Sequence, residues 1–160
     1  MKQTFLQISL VLLVHLLFAQ NPIVIPPAML GTTFNLNVQS GATQFYPGVN
    51  TSTFGINGDV LAPTLIVNKW DWVKMNVTNN LPGPGNSTTI HWHGLHVPAM
   101  ADGGPHQIID QGTTWSPEFQ ILNPAGTYWY HPHGHTKTDV QVSMGMAGMI
   151  IVKDSIEEAL

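Results

Sequence analysis

Alternation of apolar and polar residues predicts β-strands in two stretches of the chain. Each stretch has three apolar residues that would lie on one strand face: Phe34, Leu36 and Val38 in residues 31–38, and Val73, Met75 and Val77 in residues 70–78. Successive side chains of a strand point to opposite faces, so this pattern indicates strands with one buried face. Shorter apolar stretches predict further strands at residues 53–57, 61–67, 88–93, 115–122, 126–131 and 147–152.

Turn-forming sequences separate the predicted strands. Clusters of Gly, Pro and Asn occur at residues 47–48, 57–58, 81–86, 102–105 and 123–126, and such clusters mark turns and loops. Only residues 138–145 suggest a helical turn. Many short strands separated by turns are typical of Greek-key sandwiches and barrels. We therefore predict an all-β fold, an antiparallel Greek-key β-sandwich.

The first 19 residues have the features of a secretory signal peptide. Lys2 gives a positive start, an apolar run extends from Phe5 to Phe18, and the small residue Ala19 follows. The run is shorter than the roughly 20 residues that a membrane span needs. We expect an exported protein, periplasmic or secreted, with no membrane anchor after cleavage of the signal.

Composition limits the possible partners and the sources of stability. The 160 residues suit one domain. There are five lysines, no arginine and nine acidic residues, and the net charge is −4. Nucleic-acid binding needs a basic face, so no nucleic-acid partner is expected. The chain has no cysteine, and its stability must therefore come from the core and not from disulfides.

Two His-x-His pairs are the most informative motif. They are His91 with His93 and His131 with His133, and a glycine follows each pair. On a strand, both members of a pair would lie on one face, and imidazole is a preferred ligand of zinc and copper. Alternate residues of a strand are about 7 Å apart, which is wide for two bonds of about 2 Å to one ion. We expect each pair to be spread over two ions, most naturally copper, with the neighbouring aromatic residues excluding water.

The longer motifs around these pairs resemble the first cupredoxin domain of a multicopper oxidase. The motifs are TIHWHGLHVP at residues 89–98, DGGP at 102–105, GTYWYHPHGH at 126–135 and QVSMGMAGMIIV at 141–152. The resemblance is greatest to the bacterial laccase-like and copper-efflux oxidases. It implies a cupredoxin-type Greek-key β-sandwich in which a plastocyanin-like domain covers residues 20–154.

The resemblance also implies roles for individual residues. His91 would bind the type 2 copper, and His93, His131 and His133 would bind the type 3 copper pair. Together they would supply half of a trinuclear cluster that reduces dioxygen to water. Asp102 falls where these proteins have an acidic residue that relays protons, although an Asp before Gly-Gly-Pro is also a common turn former.

Much of such an oxidase is not in this sequence. The resemblance implies that the other cluster ligands and the type 1 copper site come from the last domain, and the type 1 site needs a cysteine. We therefore expect the remaining cupredoxin domains, of the same or a partner chain, as partners. We also expect no oxidase activity from this chain alone. Residues 155–160 would begin a linker, and the chain would be a truncated or a stand-alone first domain.

Two other functions compete with an oxidase domain. The same histidines could serve an exported copper-binding protein that buffers or carries the metal without catalysis. A cupin-type metal enzyme is disfavoured, since cupins have a glutamate a few residues after His-x-His, and residues 96–98 are His, Val and Pro. Three methionines lie close together, at Met144, Met146 and Met149, and thioethers suit Cu(I). We interpret them as residues of a closing strand packed in the core. The reducing substrate is not indicated.

Overall fold

The computed structural model describes residues 25–83 and 85–159 and contains ten β-strands there. The predicted signal peptide at residues 1–19 lies outside the described residues. The strands are β1 (Ala28–Leu30), β2 (Thr33–Tyr46), β3 (Val49–Ile56), β4 (Thr64–Asn68), β5 (Trp72–Asn79), β6 (His91–His93), β7 (Thr114–Trp115), β8 (Glu118–Gln120), β9 (Gly126–His131) and β10 (Gly148–Lys153).

The strands form two sheets. The first has the order β1-β4-β10-β9-β6, and the second has the order β3-β2-β5-β7, with β8 also paired to β5. Apart from β2 with β3 and β9 with β10, strands that are adjacent in a sheet are not consecutive in the chain, so the chain crosses between the sheets repeatedly. The architecture is a cupredoxin-type Greek-key β-sandwich, as predicted.

The sheets are mixed and not purely antiparallel. β4 pairs in parallel with both β1 and β10, and β2 pairs in parallel with β5. The expectation of an antiparallel sandwich is wrong for these pairs. Parallel neighbours need a long crossover connection between them, and here that connection passes through the other sheet. The pairs around the two histidine motifs, β6 with β9 and β9 with β10, are antiparallel.

The apolar faces predicted for β2 and β5 meet in the core. Phe34 pairs with Met75 and Leu36 pairs with Val77, and all four side chains are fully buried. Large side chains from both sheets complete the core, among them Trp92, Tyr130 and Phe119. Burial of apolar surface stabilises a fold by roughly 25 cal/mol per Å². This cluster is therefore the main source of stability in a chain without disulfides.

Several predicted strands differ in extent from the observed ones. Residues 115–122 form two strands, β7 and β8, because Pro117 lies between them and has no N–H for a ladder hydrogen bond. Residues 88–93 contribute only the short strand β6. The sequence pattern does not predict β1 or the second half of β2, where most residues are exposed and the apolar alternation ends.

Among the described residues, helical structure is limited to short segments. The helical turn predicted at residues 138–145 is the helix α1, Thr138–Ser143. Two single 3-10 turns lie at Ala99–Ala101 and Glu157–Ala159. In the part of the chain that the structure describes, no helix is long and apolar enough to cross a membrane.

Candidate metal centre

The two histidine pairs lie together on adjacent strands of the first sheet. In the antiparallel pairing of β6 with β9, His91 lies opposite His131 and His93 lies opposite Trp129. The ring centroid of His91 is 5.6 Å from that of His93, 5.6 Å from that of His131 and 5.3 Å from that of His133. We call these four residues, His91, His93, His131 and His133, the histidine quartet. The predicted convergence of the two pairs is confirmed.

The residues between the histidines anchor the two strands in the core. Trp92 and Tyr130 are paired across β6 and β9 and are fully buried on the opposite face of the sheet. The Trp92 indole donates a hydrogen bond to the Ala101 carbonyl (3.0 Å), and the Tyr130 hydroxyl donates one to the Pro63 carbonyl (2.7 Å). These two aromatic residues therefore support the site from beneath and do not wall it, contrary to the expectation.

His133 is positioned differently from the other three histidines. β9 ends at His131, so strand alternation does not determine the position of His133. Its backbone N–H instead donates a 2.7 Å hydrogen bond to the hydroxyl of Thr89, a buried residue in the segment before β6. The His133 ring lies 6.0 Å from the His131 ring between centroids. A side-chain hydrogen bond thus replaces the strand ladder that positions the rest of the quartet.

Two members of the quartet approach each other through ring nitrogens. His93 Nδ1 lies 3.1 Å from His131 Nε2. Two nitrogens bonded to one ion at about 2.0 Å, with an angle of about 90–109° between the bonds, lie about 2.8–3.3 Å apart. The observed spacing therefore suits one ion held jointly across the two strands. The distance of about 7 Å between alternate residues of one strand does not predict this pairing, because the two nitrogens belong to different strands.

Backbone carbonyls determine which nitrogens carry lone pairs. His131 Nδ1 is 2.7 Å from the Pro132 carbonyl, and His91 Nδ1 is 2.9 Å from the Asp102 carbonyl. A carbonyl only accepts hydrogen bonds, so in both rings Nδ1 carries the proton and Nε2 keeps its lone pair. This is the arrangement that orients a metal-binding imidazole. The same tautomer of His131 lets its Nε2 accept a hydrogen bond from His93 Nδ1 when no ion is bound.

The environment of His131 favours the neutral ring that metal binding requires. Burial lowers the pKa of His131 below its ordinary value of 6.5, and the nearby rings of His91, His93 and His133 lower it further. The hydrogen bond to the Pro132 carbonyl opposes this effect, since it stabilises the protonated form. The net shift is downward.

Asp102 lies beside the first histidine pair. Besides its carbonyl contact, its carboxylate Oδ2 is 3.3 Å from His91 Nδ1. The side chain of Asp102 is partly exposed, so it can exchange protons with solvent. Gly103 follows at φ +72°, where a Cβ would lie 1.6 Å from the Ile90 carbonyl oxygen. The absence of a side chain at Gly103 allows this loop to lie directly against the backbone of β6.

The remaining candidates lie outside the quartet. Among the described residues, His96, His106 and His135 are exposed and do not belong to the quartet. Met146 is fully buried, as predicted, whereas Met149 is exposed. No three His, Asp or Glu side chains in residues 25–83 and 85–159 converge on a single point. The quartet therefore offers one or two nitrogens to each of several positions and does not form a closed site for one ion.

Two residues near the quartet, Thr89 and Asn123, were not singled out from the sequence, and Trp129 was expected only as one of the aromatic neighbours that exclude water. Thr89 and Trp129 each lie an even number of residues from the histidines of their own strand segment. The alternation of side chains along a strand could therefore have placed both on the same face as the histidines. Asn123 is buried, accepts a hydrogen bond from the His96 amide (2.7 Å) and donates one to the Gly94 carbonyl (2.8 Å). It ties the loop after the first pair to the loop before β9, and no local sequence signal marks it.

Comparison with known proteins agrees with this geometry. A family model described as multicopper oxidase matches residues 37–157. Multicopper oxidase mco of Staphylococcus aureus is 41% identical over 122 residues, which cover 76% of this chain and 27% of the relative. Cell division protein FtsP of Escherichia coli is 35% identical over 144 residues, covering 88% of this chain and 30% of that protein.

A similar solved structure is that of a bacterial laccase-like multicopper oxidase, CueO, from the lignin-degrading bacterium Ochrobactrum sp. The two structures superpose with a TM-score of 0.80 at 37% sequence identity, and the match covers 86% of this chain and 31% of the other. The chain thus spans less than a third of the length of each of these relatives.

Proposed function

The chain belongs to the multicopper oxidase family, and we propose that it is the copper-binding first domain of such an oxidase. Membership of the family implies copper binding. In this proposal residues 20–154 form the first cupredoxin domain, and the histidine quartet supplies half of a trinuclear cluster that reduces dioxygen to water. His91 binds the type 2 copper, and the other three members bind the type 3 pair.

The observation that carries the proposal is the 3.1 Å approach of His93 Nδ1 to His131 Nε2. This spacing fits two ligands of a single type 3 ion. The Nε2 lone pair of His91 is left free by the contact of its Nδ1 with the Asp102 carbonyl, which supports a separate ion there. Neutral imidazoles suit copper, and no carboxylate ligand of the kind preferred by magnesium or calcium belongs to the quartet.

When bound, copper supplies the electron transfer that reduces dioxygen. The chain's own residues hold the rings in place, favour the neutral form of His131 and support the site from beneath with Trp92 and Tyr130. Reduction of dioxygen to water also consumes protons. We propose that Asp102 relays them, because its carboxylate lies beside His91 and is partly exposed to solvent.

The other half of the site must come from elsewhere. Within the described residues the quartet offers at most two nitrogens to one position, and the chain has no cysteine for a type 1 copper site. We propose that further cupredoxin domains, of the same or a partner chain, contribute the missing ligands. Alone, the chain should show no intense blue absorption and no oxidation of phenols under air.

Export to the periplasm or the medium is part of this proposal and rests on residues 1–19. The alternative function is an exported copper-binding domain without catalysis. The similarity to a cell division protein gives this alternative some weight, because family membership alone does not specify an oxidase. The two functions share the quartet and differ in whether dioxygen is reduced once the other domains are present.

Copper titration of single variants tests the quartet. Replacement of an outer-shell partner already lowers metal affinity by about 10–100-fold, so each quartet variant should lose at least about tenfold. The quartet variants are His91→Ala, His93→Ala, His131→Ala and His133→Ala. The matched controls are His96→Ala, His106→Ala and His135→Ala, all at exposed histidines. Equal losses in the two sets would show that the histidines bind copper diffusely, and the site assignment would be wrong.

A double-mutant cycle tests the shared ion. If His93 and His131 hold one ion, the double variant should lose little more affinity than either single variant, since the first change already removes the chelate. His93→Ala combined with His91→Ala, whose ring binds a separate ion in this proposal, should instead give additive losses. Additive losses for His93→Ala with His131→Ala would contradict the shared type 3 position.

A further inference from the structure

We propose that Trp129 is a positioning residue that holds the rings of His93 and His131 so that their two nitrogens can bind one ion. The inference rests on the proposed function of the quartet. Trp129 is not itself a ligand, because the indole has an N–H donor and no lone pair for a metal. Trp129 instead orients the two imidazoles, both before and after the ion binds.

The strand register puts Trp129 on the ligand face. In the pairing of β6 with β9, His91 lies opposite His131, and His93 lies opposite Trp129. Because alternate residues share a face, these four side chains form the four corners of one cross-strand square. Three corners are imidazoles and the fourth is an indole. A position that could have carried a fifth histidine carries instead the largest planar side chain.

The indole contacts both rings of the shared pair. Its centroid is 4.0 Å from that of His131, with the planes 26° apart, and 4.9 Å from that of His93, with the planes 33° apart. The Trp129 and His131 rings are stacked, and the Trp129 and His93 rings are tilted toward each other. Rotation of either imidazole about its Cβ–Cγ bond would bring the ring edge into the indole, so the stacking limits the directions in which Nδ1 and Nε2 point.

His93 depends on Trp129 more than His131 does. His131 is buried, and its ring is also held by the hydrogen bond to the Pro132 carbonyl. His93 is exposed, and among the described residues the hydrogen bond of its ring is to His131 itself. Without the indole, the His93 ring would be held mainly by its hydrogen bond to His131. We therefore expect loss of Trp129 to release His93 first.

Trp129 can be replaced without removing part of the core. It is 38% exposed, whereas Trp92 on the opposite face is fully buried. Its far side borders a shallow apolar cavity of about 310 Å³, which Ala62 and Met149 also line. A smaller side chain would widen this open cavity and would not create an enclosed void. The effect on the imidazoles can therefore be separated from the effect on folding.

The experiment compares Trp129→Leu with Trp129→Phe, which keeps a stacking ring, and with Trp72→Leu. Trp72 is 67% exposed on β5 in the other sheet, so it controls for loss of an exposed indole. The first readout is NMR of the imidazole rings in the copper-free chain, which reports ring mobility and the tautomer of each histidine. The second is copper affinity, and the third is the urea midpoint.

In Trp129→Leu we expect the His93 and His131 ring signals to shift and His93 to become mobile, with copper affinity reduced by about 10–100-fold. Trp129→Phe should restore most of both, and Trp72→Leu should change neither. Both leucine variants should have similar urea midpoints. Unchanged His93 and His131 ring signals in copper-free Trp129→Leu would overturn the positioning role, even if copper binding were lost.

The design separates this inference from the proposed function. If the unmodified chain binds no copper but Trp129→Leu still mobilises the His93 ring, the contact is real, and the assignment of the quartet as a copper site fails. Should Trp129→Leu not fold, Trp129→Met gives the same comparison with a flexible apolar side chain. Failure of both to fold would also overturn the inference, because Trp129 would then be a structural residue.

Discussion

Gly103→Ala should destabilise the chain and displace the first histidine of the quartet. Gly103 has φ +72°, and an ideal Cβ there would lie 1.6 Å from the Ile90 carbonyl oxygen and 3.0 Å from the Cα of His91. Ordinary contact begins at 3.4 Å, so the backbones must separate by about 1.8 Å, the difference between 3.4 and 1.6 Å. No side-chain rotation can relieve the overlap, because both partners are backbone.

The expected loss in free energy of unfolding of Gly103→Ala is the sum of three contributions. The left-handed conformation costs a residue with a Cβ about 1–2 kcal/mol. Overpacking costs about 1–3 kcal/mol. The separation also lengthens the 2.9 Å contact between the Asp102 carbonyl and His91 Nδ1, a hydrogen bond that contributes about 1 kcal/mol. The expected loss in free energy of unfolding is about 3–6 kcal/mol, a large share of the about 5–15 kcal/mol typical of a domain.

Gly112→Ala is the matched control. Gly112 has nearly the same backbone conformation, φ +75°, but a Cβ there would meet nothing within 4 Å. It should therefore lose only the conformational contribution of about 1–2 kcal/mol. The difference between the two variants isolates the contact of the Gly103 loop with β6.

Urea unfolding followed by tryptophan fluorescence measures the free energies, and NMR of the imidazole rings reports the position of His91. We expect Gly103→Ala to be less stable than Gly112→Ala by about 2–4 kcal/mol, from the overpacking and hydrogen-bond contributions. The His91 ring signals should shift in Gly103→Ala alone. Equal stability of the two variants, with unchanged His91 signals, would refute the idea that this loop positions the first ligand.

Three further predictions concern single hydrogen-bonding side chains. Thr89→Val removes the acceptor of a backbone amide in the second pair and should weaken copper binding by about tenfold, whereas Thr89→Ser should not; equal affinities in titration would contradict this. Tyr130→Phe leaves the buried Pro63 carbonyl without its donor and should lower the free energy of unfolding by about 1–3 kcal/mol. Because burial raises the pKa of Tyr130, this loss in urea unfolding should be the same at neutral and mildly alkaline pH. The Asp154 carboxylate accepts backbone N–H groups, that of Glu157 with the largest effect, and its pKa therefore lies below the ordinary 3.8. Its stabilisation is present above that ordinary value and is lost as pH falls through the lowered pKa, so the stability difference from Asp154→Asn should shrink on acidification. A difference in urea midpoint that stays constant to the most acidic pH at which the chain folds would show that the carboxylate charge is not involved.

The sequence by itself determined the fold class and the identity of the quartet. Period-two alternation identified the buried faces of β2 and β5, because side chains of a half-buried strand must alternate whatever the neighbouring strands are. The His-x-His pairs identified the candidate ligands, since imidazole chemistry and the surrounding motifs are local properties. The predicted limits of β9 (126–131) and of the helix α1 (138–145) agree closely with the structure, because local sequence patterns also indicate where these elements begin and end.

Tertiary structure decided the geometry that makes these residues a site. Strand pairing brought His93 Nδ1 within 3.1 Å of His131 Nε2, a contact between residues 38 positions apart that no spacing along one strand reveals. The parallel pairs and the end of β9 before His133 also depend on long-range contacts. The role of Thr89 emerged only when the structure placed its hydroxyl against the amide of His133, because a hydroxyl has no ligand chemistry to mark it in a sequence. Trp129 was expected as an aromatic neighbour of the site, and the strand register added its stacking on His131.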